Sequence, residues 1–339
     1  MDGRDGAGRM PATPRDTLVA DCPPAYSYLL PERHIPMIIR PRPHPLELLF
    51  ILRGSIVRDI APKVLAIMAL SAGVVALADI HRIPLPDAGT IPFSIIGLAL
   101  SVFLGFRNNA CYDRWWEARK HLGDLVVQTR AFAREAGVLL PDETLRRRLV
   151  HAAIGFTHAL TASLRGQDAH AAARTWLPEP LADRLQSSQN LPDAILRAIN
   201  VDLRDALQSG ALSDILYQTL SQRLLALTAI QAACERIRHT PMPFAYALLL
   251  HRTAWLFCLL LPFGLASGLG WMTPFIVMVV AYTFFGLDAL GDQLEEPFGL
   301  QDHGLPLDAL ARIIEIDFRE GLGEKDLPER LQPVEYLLL

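Results

Sequence analysis

Cysteine is scarce. The chain of 339 residues has four, Cys22, Cys111, Cys234 and Cys258, with no C-x-x-C pair and no regular spacing. That excludes a disulfide scaffold and points to reduced thiols, which suit cytosolic and intramembrane positions. A basic excess is also missing. Lys and Arg number 32 against 36 Asp and Glu, a net charge of −4, so there is no footprint for nucleic acid. H-E-x-x-H, G-x-x-x-x-G-K-[ST] and G-x-S-x-G are all absent. The ten histidines show no i,i+4 pair with a third ligand nearby. No enzyme activity, metal or cofactor is expected. The first 30 residues lack an apolar core, so they are not a secretory signal. Residues 1–34 read as a disordered tail. There are no internal repeats.

Apolar residues are what the chain has in excess. They make up 51%, and mean hydropathy is +0.24, high for a soluble enzyme. The excess sits in four runs, near 64–78, 91–106, 253–269 and 271–287. Each is nearer 15–17 residues than the ~20 of a full span, so roughly 24 Å against a ~30 Å hydrocarbon core. The flanks extend them: Lys63 and Arg107 are placed to snorkel, and Trp255 and Trp271 suit interfacial belts. Runs this short also occur as core helices of soluble proteins, but two tight pairs favour membrane spans. The connectors, 81–92 and 267–270, hold only Arg82 as a strong base. Arg40, Arg42, Arg53, Arg58 and Lys63 precede the first run. Arg107, Arg114, Arg119 and Lys120 follow the second, and Arg236, Arg238 and Arg252 precede the third. The positive-inside rule then puts both termini and the middle of the chain in the cytoplasm.

The middle is helical by pattern. Leu125, Val126, Phe132 and Ala133 fall at helical spacing with Arg130 and Arg134 opposite. Further amphipathic helices are expected over 145–164, 191–210 and 213–240, the last with Ser213 as N-cap. Segment 244–252 ends in His251 and Arg252. Because an arginine in mid-bilayer costs at least ~2.5 kcal/mol, the third span is expected to begin at Thr253, within one long helix. The expected organisation is therefore all-α, with four transmembrane helices plus a helical cytosolic domain. Its parts are the tail 1–34, an N-terminal segment with spans one and two over 35–106, and cytosolic helices over 107–243. A helix leading into spans three and four follows over 244–293, then a cytosolic end over 294–339.

Span two carries the most information. Gly97, Ser101 and Gly105 recur at i,i+4,i+8, and beside them run Leu98, Val102 and Phe106. The small residues allow close helix approach. If identical helices ring an axis, the apolar stripe beside them forms a constriction that gates by dewetting. The alternative is that the stripe faces lipid or the bundle core. Asp288 and Asp292, followed by Glu295 and Glu296, read as a solvated helix end, with a cation or partner site as the other possibility.

At the next residues the stretch GFRNNACYDRWWEAR (105–119) resembles the bestrophin channel family, its bacterial branch in particular. RGSI (53–56), CERI (234–237), PMPFAY (241–246), LHR (250–252), MTPF (272–275), EEPFG (295–299) and LPLDA (305–309) agree in order and spacing. The resemblance covers about 35–335. It implies a homopentamer in the lipid bilayer of the inner (plasma) membrane, with one central pore for monovalent ions. Leu98, Val102 and Phe106 would form its narrow apolar neck, and Ile215 a second constriction below a cytosolic vestibule. Trp115 and Trp116 would pack rather than form a lipid belt. Animal members carry an acidic calcium clasp after P-F-G. Here Leu300, Gln301, Asp302, His303 and Gly304 follow, and one Asp cannot supply the ~6–8 oxygens calcium takes.

The ion expected from the sequence is a cation, sodium or potassium. The bacterial branch implies it, and a pentamer of −4 chains would carry a negative field. A chloride-selective channel of the same architecture, a secondary transporter and a membrane scaffold remain as alternatives.

Overall fold

A computed structural model describes residues 37–38, 54–81, 91–333 and 337–338. The expected tail, Arg53 and most of the first connector lie outside the described residues. Ten α-helices occur among those described: α1 (Val57–His81), α2 (Ile91–Leu139), α3 (Glu143–Arg165), α4 (Ala169–Arg174), α5 (Glu179–Leu185), α6 (Leu191–Gln208), α7 (Asp214–His239), α8 (Phe244–Leu269), α9 (Thr273–Glu295) and α10 (Leu307–Gly321). The remaining regular structure is a 3₁₀ turn, Gly270–Met272, and a two-residue antiparallel pair of β1 (Met37–Ile38) with β2 (Leu337–Leu338).

Among the described residues, three stretches are long and apolar enough to cross a membrane: Val57–Ile80, Ile91–Leu139 and Phe244–Glu295. The third is α8 and α9 joined by the 3₁₀ turn. Trp255 packs on Phe285 and Phe257 on Phe284, so the two helices run antiparallel. Residues 244–252 and the apolar run after them do form one helix.

The helix boundaries follow from capping. Asp142 accepts from the Thr144 N–H at 2.8 Å and starts α3. Gly166 ends it at φ 71°, a left-handed value that favours glycine, and returns its N–H to Ala162 and Ser163. Asn190 and Ser213 cap α6 and α7 through the N–H groups of Asp193 and Leu216.

Two apolar cores hold these helices. One joins α1, the first part of α2, α8 and α9 around Ile60, Ile67, Leu100, Leu104, Cys258 and Phe285. The other joins the rest of α2 to α3, α6, α7 and α10 around Leu122, Leu125, Phe132, Phe156, Ile195 and Leu227. Truncating one such Leu to Ala costs about 2–5 kcal/mol. Helix α2 belongs to both cores. It runs unbroken for 49 residues, through the boundary expected at 106/107. The stretch 105–114 holds no proline, and its buried Arg107 and Cys111 continue the buried stripe of Leu100, Leu104, Ala118 and Leu122.

Candidate functional site

The exposed face of α2 carries the expected neck residues. Leu98 is 69% exposed, Val102 46% and Phe106 62%. Spaced four apart, they form one apolar stripe, opposite buried Leu100 and Leu104. Beside it, Gly97 lies under Phe257 of α8, whose Cζ would stand 3.2 Å from an added Cβ. Ser101 returns its hydroxyl to the Gly97 carbonyl at 2.8 Å. At Gly105 an added Cβ would meet nothing within 4 Å. Ile215, in the first turn of α7, is 75% exposed.

One residue past Phe106 the helix turns its chemistry inward. Arg107 is 1% exposed, which corrects the expectation that it snorkels toward an interface. Its guanidinium meets three carboxylates of α9: Asp288 at 2.9 Å, Asp292, and Glu295 at 3.4 Å. Buried arginine pairs well with carboxylates because its planar fork offers several donors at once. Gly291 makes the space, since a Cβ there would stand 2.8 Å from Asn108 Oδ1 and 3.3 Å from Arg107 Cζ. The second oxygen of Asp288 meets His251 Nδ1 of α8 at 2.6 Å. Asp288 is therefore not on a solvated helix end: it is buried, whereas Asp292 and Glu296 are exposed as expected there. The expectation failed because Arg107 approaches from a helix about 180 residues away in sequence. The signal present was spacing. Positions 288, 292 and 295 are i,i+4,i+7, which puts three acids on one helix face.

Two turns further along α2, Arg114 donates to three carbonyls: Glu295 at 2.7 Å, Thr240 at 2.6 Å and Ile237. It thereby satisfies the exposed end of α7 and the end of α9 together. Trp115 donates to the His303 carbonyl at 2.8 Å, and its ring packs on the larger core. His303 meets Gln293 at 2.5 Å, and Gln293 donates to Asp59 of α1 at 3.0 Å. Burial lowers the His303 imidazole below its ordinary value, with Asp302 opposing. The segment after P-F-G closes on itself: Leu305 N–H meets the Pro297 carbonyl at 2.8 Å, and a Cβ on Gly304 would stand 2.3 Å from the Gly299 carbonyl oxygen. Among the described residues, no group of three or more His, Cys, Asp or Glu is placed to hold a metal ion.

A family model described as bacterial/fungal bestrophin protein matches residues 37–320. The chain belongs to that family. Its helices superpose on a crystal structure of a bacterial bestrophin homologue from Klebsiella pneumoniae with a TM-score of 0.74. Identity there is 35%, over 78% of this chain and 99% of that one. A Mesorhizobium japonicum protein is 44% identical over 90% of this chain and 98% of its own length. YneE of Escherichia coli K12 is 39% identical over 88% and 98%. Each of these two is named a voltage-dependent anion channel-forming protein. This bestrophin is thus an all-α, polytopic membrane protein of a channel family and not an enzyme.

Those names overturn the expected sodium or potassium selectivity. The physical weakness of that expectation is visible in the charge cluster. Net charge counts every acid alike, yet buried Asp288 and half-buried Glu295 pair with Arg107 and are spent on holding helices together. A chain total of −4 does not describe the charge an ion meets.

Proposed function

We propose that this bestrophin is one subunit of a homopentameric channel that passes anions, chloride among them, across the inner (plasma) membrane. The observation that carries the reading is the 44% identical relative, matched over 98% of its own length, that is named an anion channel-forming protein. In this reading α1, the apolar start of α2, α8 and α9 are the four spans. Both termini and residues 107–243 are cytoplasmic, as the basic flanks favour. Five copies of α2 surround the axis, with Ser101 and Gly105 admitting close neighbours while Gly97 admits Phe257 of the same subunit. Leu98, Val102 and Phe106 then stack as three apolar rings, a neck whose exposed side chains in the single chain await no partner from within it. Such rings impose a dewetting barrier and leave the sign of the ion to charges elsewhere in the pathway. Ile215 forms the second apolar constriction, at the mouth of the helical vestibule.

The Arg107 cluster sets the geometry of this neck. It ties α2 to α8 and α9 one residue past Phe106, so the ring nearest the vestibule is anchored to the rest of the subunit. The test is a reversal potential from purified protein in a planar bilayer under a potassium chloride gradient. A value near the chloride equilibrium potential is expected. A value near that of potassium refutes anion selectivity, and absence of any conductance from correctly assembled protein refutes the pore.

A further inference from the structure

At the C-terminal end of α2, away from the apolar runs, a cleft of about 580 Å³ opens between α2, the first turns of α3 and the end of α10. That is within the ~300–1,000 Å³ of small-molecule sites. Two glycines account for the space. At Gly137 and at Gly321 an added Cβ would meet nothing within 4 Å. Val150 and Phe318, both buried, give the cleft an apolar floor.

Its charged lining is unbalanced. Arg130, Arg134 and Arg146 face a single acid, Asp317. Asp317 is taken by Arg130 at 2.5 Å. The guanidiniums of Arg134 and Arg146 have no carboxylate partner among the described residues. Of the acids one turn before Arg146, Asp142 caps α3 and Glu143 pairs with Arg147. Arg107, Arg165 and Arg223, which line other helix contacts, each meet a carboxylate. Two unmatched guanidiniums beside an apolar floor suit an anion carried on an apolar body. The guanidinium fork takes phosphate or carboxylate through paired N–H groups, and the floor takes the body.

We propose that this cleft binds a small organic phosphate or carboxylate with an aromatic or aliphatic body. The ligand comes from solution rather than from the bilayer. Arg130 lies 24 residues past Phe106, roughly 36 Å of helix, whereas the headgroup layer adds only ~5–8 Å beyond the hydrocarbon. An occupant would bridge α2 to α3 and α10, so binding also raises the stability of the folded chain.

The test uses the full chain in phosphatidylcholine nanodiscs, titrated with phenyl phosphate by calorimetry. Saturable binding of one phenyl phosphate per chain is expected, at least about tenfold tighter than inorganic phosphate, because only the former fills the apolar floor. Two variants report separately. Arg134→Ala with Arg146→Ala removes the charges and weakens binding about tenfold or more. Gly137→Leu keeps both arginines and abolishes binding by filling the cleft. Neither arginine has a carboxylate partner to lose, so the double variant decides the matter even where Gly137→Leu fails to fold. Unsaturable titration, equal affinity for inorganic phosphate, or unchanged binding by the double arginine variant overturns the proposal. Loss of phenyl phosphate binding in nanodiscs with added phosphatidylglycerol would assign the cleft to lipid headgroups and overturn the soluble ligand.

Discussion

Replacing Arg107 by Met leaves buried Asp288 with its His251 contact but without its guanidinium. Breaking a buried ion pair in this way costs about 3–5 kcal/mol, because the remaining charge has lost its guanidinium and gains no water in exchange. The three acids are not equal. Asp288 has a 4% exposed side chain and accepts from Arg107 at 2.9 Å, so Asp288→Asn forfeits a charge-assisted bond worth roughly 1.5–3 kcal/mol. Asp292 has a side chain 61% exposed to solvent, and Asp292→Asn costs about 0–1 kcal/mol. Glu295 keeps the Met242 N–H at 3.0 Å whatever happens to Arg107. The predicted order of loss is Arg107→Met, then Asp288→Asn, then Asp292→Asn. Pairing Arg107→Met with Asp288→Leu should restore much of the loss, since an apolar pair of similar volume replaces a desolvated ionic one. Denaturant titration of these variants and of Asp288→Leu alone in one detergent, with Arg107→Met, Asp288→Leu and their combination read as a double-mutant cycle, measures the coupling. If Arg107→Met lies within ~0.5 kcal/mol of the parent, or Asp292→Asn costs as much as Asp288→Asn, the buried-clamp reasoning is wrong.

Three further outcomes are expected. Changing Leu98, Val102 and Phe106 together to Ala should raise single-channel conductance with the assembly intact; unchanged conductance would mean these side chains do not limit flow. Burial pushes the Cys234 thiol up to about 12, so in a Cys22→Ser background it should resist a maleimide at pH 8 until the chain is unfolded, and rapid labelling of native protein at Cys234 would contradict its buried placement. Glu324 is held below the ordinary carboxylate range, chiefly by its hydrogen bond from Arg319 at 2.7 Å, with burial opposing and His151 adding. That tether is fully present above the unfolded value near ~4.3 and is lost as pH falls through the lower folded one. Glu324→Gln should therefore speed tryptic cleavage after Lys325 at pH 8, and equal rates would show that the ion pair does not hold the segment.

Local structure was legible in the sequence wherever the determinants are local. Helices expected over 145–164, 191–210 and 213–240 are found at Glu143–Arg165, Leu191–Gln208 and Asp214–His239, because caps such as Ser213 act within one turn. The apolar stripe of span two was legible for the same reason: its period of four needs no partner. The Arg107 cluster was not, since a basic residue at the end of an apolar run looks alike whether it snorkels or finds acids on another helix. The sign of the permeant ion was hidden too. Charge composition is a sum over the chain, whereas conduction depends on the few groups that line a path. The unbroken passage of α2 from one core into the other escaped notice because the pattern changes character at Arg107 while the backbone does not.

That continuity makes α2 behave like a camshaft. Its 49 residues form a rod about 73 Å long, on which angular position is set by counting residues. Deleting one residue between Arg107 and Arg114 would turn everything beyond it by about 100°, carrying Arg114, Trp115 and the larger core's Leu122 and Leu125 off their partners while the apolar stripe stayed put. An insertion of three or four residues would come closest to restoring the phase, but would shift the far end by about a turn of pitch. Surface loops in general tolerate changes of length; this segment should tolerate changes of residue far better than changes of number. Drift in such a helix is confined to substitution, and redesign of the helices packed on its far half must keep its residue count.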